Sequence, residues 1–163
     1  MPENSVHEKR FGTNGKRVTC VGLGGEGILR THGYEDAARG VIQEALDQGI
    51  TYFDSARVYS DSERYLGSVW GKSPAERKRI FQTSKSADRD RKGALQELDE
   101  TLERLQTDVL DLWQIHDVRT EQDLRRISGP GGALEAFVEA KTAGKVRRIG
   151  VTGHHDPEIF AEV

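Results

Sequence analysis

Short apolar runs alternate with longer amphipathic stretches along most of the chain. Apolar runs rich in β-branched and aromatic residues, each bounded by turn-forming residues, predict five buried β-strands. They cover residues 19–23, 50–53, 79–83, 109–115 and 146–152. Apolar positions at helical spacing predict α-helices between these strands, at residues 34–48, 61–71, 90–105 and 133–143. A strand–helix order repeated in this way predicts an α/β fold with a parallel sheet covered by helices.

The N-terminal 18 residues do not follow that repeat. Two short segments of mixed polarity flank the sequence Gly12-Thr-Asn-Gly15. Asn-Gly is typical of the tight turn of a β-hairpin. We therefore predict an N-terminal segment with a β-hairpin at residues 1–18, followed by βα units at residues 19–163.

The spacing of the strand ends narrows the fold class. The predicted strands end near Leu23, Asp54, Lys85, His116 and Thr152, in three steps of 31 residues and one of 36. A near-constant step of about 30 residues is typical of successive βα units. A complete (β/α)8 TIM-type barrel needs about 250 residues, and this sequence has 163. We therefore expect an incomplete barrel of about five βα units, from a truncated chain or part of a longer one.

Composition and charge favour a small-molecule partner. The net charge is −3, and the basic residues are interleaved with acidic ones, which argues against a nucleic-acid partner. Cys20 is the only cysteine, so no intrachain disulfide can form, as expected for a cytoplasmic protein. No apolar stretch approaches the roughly 20 residues of a membrane span, so we expect no membrane partner. Exposed edges and the apolar interior of a half-barrel also predict self-association.

Four polar residues lie at or just beyond the ends of consecutive predicted strands: Asp54, Tyr59, Lys85 and His116. Each alone is compatible with a structural role, but parallel strands bring their carboxyl ends to one edge of the sheet. A free phenol has a pKa near 10, and a nearby ammonium lowers it. We expect Lys85 to acidify Tyr59, Asp54 to hold Lys85, and His116 to orient a substrate oxygen. This predicts a general-acid site for reducing a carbonyl, with a nicotinamide cofactor as hydride source.

The same residues carry a resemblance to a known family. The sequence Asp54-Ser-Ala-Arg-Val-Tyr59 resembles the motif that follows the second strand of aldo-keto reductases. Thr-Ser-Lys85 and Leu-Trp-Gln-Ile-His116 are similar to the ends of its third and fourth strands, and residues 134–151 to its next helix and strand. The resemblance implies a barrel that reduces aldehydes or ketones with NADP(H), or alternatively NAD(H). Tyr59 is then the proton donor.

The resemblance also implies which residues contact the cofactor: Gly24, Gly25, Glu26, Asp54, Thr152 and Gly153. Family members usually have Ser-Asn at the last two of these positions, so this chain keeps the hydroxyl and lacks the amide, for which His154 is a substitute. In the family, much of the phosphate site comes from loops after strands six to eight, which this sequence does not contain. We therefore expect weak cofactor binding and weak or no activity. The polar segment at residues 119–127 predicts a short helix at the substrate mouth.

Three other interpretations remain open at this stage. Gly22, Gly24 and Gly27 match the G-x-G-x-x-G pattern of doubly wound dinucleotide-binding domains, but the next helix begins too late for that motif. A metal-dependent barrel hydrolase could use His116 and His154, although Lys85 would repel a cation and no metal is expected. The third interpretation is a non-catalytic binding or regulatory domain with the reductase fold.

Overall fold

The computed structural model describes residues 6–13, 15–71 and 73–161. Its strands are β1 (Glu8–Arg10), β2 (Arg17–Thr19), β3 (Gly22–Gly24), β4 (Tyr52–Asp54), β5 (Phe81–Ser86), β6 (Leu112–Ile115) and β7 (Ile149–Val151). Its helices are α1 (Glu35–Asp47), α2 (Ser62–Trp70), α3 (Pro74–Arg79), α4 (Arg91–Leu105), α5 (Glu121–Ser128), α6 (Ala133–Thr142) and α7 (Pro157–Ala161), with a 3-10 turn at Gly27–Leu29. None of these helices is long and apolar enough to cross a membrane.

The strands form two sheets. β1 and β2 pair antiparallel as the N-terminal hairpin, and β3 to β7 form a parallel sheet in sequence order. Each strand of the parallel sheet lies beside its predecessor, with helices in the connections, as in the successive units of a β/α-barrel. The predicted fold, an incomplete barrel of about five βα units after a hairpin, is confirmed. Asn14 of the predicted Asn-Gly turn lies outside the described residues.

Two element boundaries differ from the sequence prediction. The predicted strand 19–23 is divided, because Thr19 pairs with Glu8 in the hairpin and only Gly22–Gly24 joins the parallel sheet. Helix α3 was not predicted, although its sequence contains a helix-start signal. The Ser73 side chain accepts a hydrogen bond from the Glu76 amide, and Pro74 occupies the first turn. The division of the chain at residue 18 stays a prediction.

Side chains on the outer face of the sheet pack against the helices to form the main core. Trp113 of β6 stacks on Phe137 of α6, with ring centroids 3.5 Å apart. Phe53 of β4 meets Trp70 of α2 edge-on at 5.2 Å. Successive side chains of a strand point to opposite faces of the sheet, so the residues next to these aromatic residues face the interior of the half-barrel.

The inner face of the sheet is apolar at one end and polar at the other. Near the amino ends of the strands, Phe81 packs between Tyr52 and Phe11, at centroid distances of 5.3 and 4.7 Å. Phe11 follows β1, so the hairpin covers this end of the interior. Towards the carboxyl ends, the inward positions carry polar side chains. The alternation thus leaves a polar group of residues at the edge of the sheet where barrel enzymes have their active sites.

Candidate active site

Lys85 and Asp54 form a partly buried ion pair between adjacent strands. Asp54 ends β4, and Lys85 lies near the end of β5. The Lys85 Nζ atom is 2.5 Å from Asp54 Oδ2 and donates a second hydrogen bond to the Ser55 carbonyl at 2.8 Å. Only 6% of Lys85 is exposed. The predicted pairing of these two side chains is therefore present, with the ammonium held by a carboxylate and a carbonyl.

Tyr59 lies in the loop between β4 and α2, directly beside this ion pair. Its amide donates to the Ala56 carbonyl, and its carbonyl accepts from the Ser62 amide, so two tight turns position the residue. The Lys85 ammonium is 4.9 Å from the centroid of its ring. The His116 ring meets the same ring edge-on, with centroids 5.5 Å apart. The structure thus brings all four residues predicted from the strand ends into one group.

The pKa of Tyr59 differs from the sequence expectation. Burial raises the pKa of the phenol above its ordinary value, and the nearby carboxylates of Glu26 and Asp54 raise it further. The guanidinium of Arg30 opposes this shift. The sequence led us to expect a lowered pKa for this phenol, and this is wrong for this structure, because burial and the carboxylates outweigh the nearby positive charge. The phenol of Tyr59 therefore keeps its proton at neutral pH.

His116 follows β6 and is largely buried. Burial lowers the pKa of its imidazole, and the positive charge of Lys85 lowers it further. The carboxylates of Asp117 and Asp54 act in the opposite direction but do not reverse the shift. A neutral imidazole can donate one hydrogen bond to a substrate oxygen without contributing a charge. This is compatible with the predicted role of His116 in orienting a carbonyl.

A cavity of about 460 Å³ opens at Tyr59 and His116. Its rim carries two ion pairs: Arg30 bonds Glu26 at 2.6 Å, and Arg119 bonds Asp117 at 2.8 Å. The Arg30 guanidinium also lies 5.4 Å from the centroid of the Tyr59 ring. Neither arginine was predicted from the sequence to be a site residue. Both lie in loops that follow strand ends, which places them near the site, but many other loop residues have the same position in the sequence.

Arg89 organises the loop that follows His116. Its guanidinium donates to the carbonyls of His116 and Asp117, each at 2.8 Å. Asp117 has a φ of 55°, in the left-handed region that favours glycine. The Thr152 hydroxyl accepts a hydrogen bond from the Asp117 amide at 3.1 Å, and the Thr152 carbonyl accepts from Val118. Thr152, which sequence reasoning assigned to the cofactor, thus supports the loop of His116.

The remaining predicted cofactor residues lie at the same edge of the sheet. A side chain at Gly24 would contact nothing within 4 Å, and this residue borders a second, open cleft of about 430 Å³ together with Asp54. A Cβ atom at Gly25 would come within 2.5 Å of the Asp54 carbonyl, so glycine is required for this close approach. Glu26 lines the cavity of Tyr59, and Gly153 is partly buried beside Thr152.

The glycine-rich segment does not form the phosphate loop of a doubly wound domain. Gly22–Gly24 is the first strand of the parallel sheet, whereas Gly27 begins a 3-10 turn and α1 starts only at Glu35. These glycines therefore do not lead into the N-terminus of an α-helix, which is the group that binds the phosphates in such domains. Over the residues that the structure describes, no three His, Cys, Asp or Glu side chains are grouped as metal ligands.

The aldo/keto reductase family model matches residues 20–163. The 6-dehydroglucose reductase of Novosphingobium aromaticivorans is 34% identical over 77% of this chain and 44% of its own length. The L-galactose dehydrogenase of Arabidopsis thaliana is 31% identical over 91% of this chain and 49% of its own length. This chain thus spans about half the length of these relatives.

Solved structures agree with the sequence comparison. An aldo-keto reductase from Bacillus halodurans in its holo form has a TM-score of 0.79 and 25% identity, covering 96% of this chain and 53% of that one. A thermostable aldo-keto reductase solved with the inhibitor epalrestat has a TM-score of 0.81 and 28% identity, covering 96% and 57%. The match of family model, relatives and fold shows that the chain belongs to the aldo-keto reductase family.

Proposed function

We propose that this chain carries the catalytic half of an NAD(P)H-dependent reductase of aldehydes or ketones, with Tyr59 as proton donor. The observation that carries the proposal is the position of Tyr59, between the Lys85–Asp54 ion pair on one side and the His116 ring on the other. Oxidoreductase chemistry is common to the named relatives. The retention of all four residues favours an enzyme over a non-catalytic domain with the same fold.

The proposed reaction uses the protonated phenol as a general acid. Tyr59 donates its proton to the carbonyl oxygen as negative charge develops there, and the neutral His116 donates a hydrogen bond that orients this oxygen. The raised pKa of Tyr59 keeps the proton available at neutral pH. When the phenol loses its proton, the positive charge of Arg30 partly offsets the cost of burying the phenolate, because an opposite charge favours the ionised form.

The residues present fit a nicotinamide cofactor in part. The space at Gly24 is open, and its neighbour across the sheet, Asp54, is paired with Lys85, so a flat ring could lie there; the bound cofactor supplies the hydride. The Thr152 hydroxyl accepts a hydrogen bond from the Asp117 amide and donates a long one, 3.5 Å, to the Ile115 carbonyl. A contact with the carboxamide therefore requires its proton to turn away from that carbonyl. NADP(H) is the preferred assignment, because a 30% identical relative in Schizosaccharomyces pombe is named for NADP(+). NAD(H) is the alternative.

We expect NADPH to bind the chain weakly and to be consumed slowly in the presence of aldehydes. Binding is measured by fluorescence titration of NADPH, which needs no turnover, and catalysis by the loss of absorbance at about 340 nm with a panel of aldehydes and ketones. The predicted cofactor contacts are tested by substitution: variants at Gly25, Glu26 and Gly153 should bind NADPH less tightly. A chain that neither changes NADPH fluorescence nor consumes NADPH would instead support a non-catalytic binding or regulatory domain.

Cellular location and partners stay predictions from the sequence. The single cysteine, Cys20, is exposed and free, and the interleaved charges argue for a small-molecule partner rather than nucleic acid. We propose a cytoplasmic protein on these grounds. We also propose self-association through the open edges of the sheet, which sedimentation at several protein concentrations tests.

A further inference from the structure

A chain of hydrogen bonds crosses three strands on the inner face of the sheet and ends at Asp54. The Gln114 amide of β6 donates to the Thr83 hydroxyl of β5 at 3.1 Å. The Thr83 hydroxyl in turn lies 3.3 Å from Asp54 Oδ1 on β4. The other carboxylate oxygen, Oδ2, accepts from Lys85. Both oxygens of Asp54 are therefore held, one by the lysine and one by the threonine.

The chemistry of the three side chains sets the direction of these hydrogen bonds. A hydroxyl has one proton, and the Thr83 oxygen already accepts from Gln114. Its proton is therefore free for the anionic Asp54, and bonds to charged acceptors are stronger than bonds to neutral ones. The Tyr52 phenol also lies against Thr83, but burial and the Asp54 carboxylate raise its pKa to about 12. Tyr52 is thus neutral and does not compete as an anion for the Thr83 proton.

We propose that Thr83 and Gln114 are positioning residues for the Asp54–Lys85 pair, and through it for the ammonium beside Tyr59. Thr83 is fully buried, so its hydroxyl is shielded from competing water. Without this bond, the carboxylate is free to rotate away from the ammonium that it compensates. Only one part of this proposal rests on the proposed function: that the Asp54–Lys85 pair assists Tyr59 in catalysis. The anchoring itself is a property of the folded chain.

The test measures how well Lys85 is held, without any cofactor. The folded protein is treated with a low concentration of an amine-acetylating reagent, and mass spectrometry follows the acetylation of Lys85 relative to the exposed Lys92. Thr83→Val removes the hydroxyl at nearly constant volume. We expect Lys85 to be acetylated about fivefold faster in this variant, the factor that corresponds to one typical hydrogen bond. Thr83→Ser keeps the hydroxyl and is expected to restore the wild-type rate.

Ser86→Ala is the matched control for general loosening of β5. Ser86 is buried in the same strand but faces outwards, where it bonds the Trp113 indole at 2.9 Å. Removing the Ser86 hydroxyl should lower the unfolding temperature about as much as Thr83→Val does, but leave the acetylation rate of Lys85 unchanged. Gln114→Leu should accelerate acetylation less than Thr83→Val and add nothing in the double variant, because both act through one bond.

Two results would overturn the proposal: a wild-type acetylation rate in Thr83→Val, or equal acceleration in Ser86→Ala. Where turnover is measurable, Thr83→Val should lower kcat with KM nearly unchanged, because the carbonyl does not contact Thr83. Failure of the proposed function has a different signature. In that case NADPH is not consumed by the wild-type chain, whereas the acetylation pattern of the variants still holds.

Discussion

Replacing Tyr59 with phenylalanine is expected to lower kcat for NADPH-dependent carbonyl reduction by about 10²- to 10⁴-fold, the usual contribution of a positioned general acid. The ring that packs beside Lys85 and His116 is kept, so the substitution removes the donated proton and little else. NADPH affinity and the unfolding temperature should stay close to the wild-type values. The measurement is the rate of NADPH consumption at saturating aldehyde.

Tyr34→Phe is the matched control for this variant. Tyr34 precedes α1 and is 59% exposed, and the same chemical change there should leave the rate unaltered. Equal rates in the wild-type protein and Tyr59→Phe would remove the proton-donor assignment.

The pH dependence of the reaction follows from the raised pKa of Tyr59. Burial and the carboxylates of Glu26 and Asp54 favour the protonated phenol, which is the form that donates. Activity that depends on this proton should therefore persist through neutral pH and fall only above about pH 10, the ordinary value for a phenol. A phenol acidified by Lys85 would lose activity at lower pH. A profile of kcat against pH, compared with that of the residual activity of Tyr59→Phe, separates the two cases.

The second large effect is expected on stability, from Gly67→Ala. Gly67 lies in α2 where this helix approaches α4 most closely, and a Cβ atom there would be 2.0 Å from the Arg104 carbonyl oxygen and 2.8 Å from the Leu105 carbonyl carbon. These are backbone atoms, so the added methyl group can be accommodated only by separating the two helices. We expect a loss of about 3 kcal/mol in the free energy of unfolding, at the upper end of overpacking costs. Urea unfolding followed by circular dichroism measures it.

Gly40→Ala provides the control within the same chain. Gly40 lies in α1, and a Cβ atom there would contact nothing within 4 Å. The same substitution should therefore stabilise the protein by about 0.5–1 kcal/mol, because alanine loses less conformational freedom in a helix. Similar small effects at both positions would contradict the close approach of α2 and α4.

The Gly67 contact also matters for the site, because α2 follows the loop of Tyr59. Glu63 in its first turn is fully buried and accepts hydrogen bonds from Ser84 at 2.6 Å and Thr101 at 2.9 Å. Burial raises the pKa of this carboxyl group. Ser84 is the neighbour of Lys85 on β5. A displaced α2 would therefore disturb the loop of Tyr59 from the outer side of the sheet.

The amino-acid sequence by itself determined the order of the elements and the edge at which the chemistry lies. Alternating short apolar runs and amphipathic stretches specify parallel βα units, because each pattern has one way to bury its apolar face. Parallel strands place all their carboxyl ends at one edge of the sheet, so the sequence alone predicts that Asp54, Lys85 and His116 lie close together. The hairpin likewise followed from its turn residues.

Only the tertiary structure decided where Thr19 pairs and how the charges around Tyr59 balance. An apolar run does not indicate at which residue the chain leaves one sheet for another. Whether Lys85 acidifies the phenol depends on distances to Asp54, Glu26 and Arg30 and on burial, none of which is encoded in residue spacing. Coulomb energies and desolvation are properties of three-dimensional proximity. The placement of the arginines around the cavity was decided in the same way.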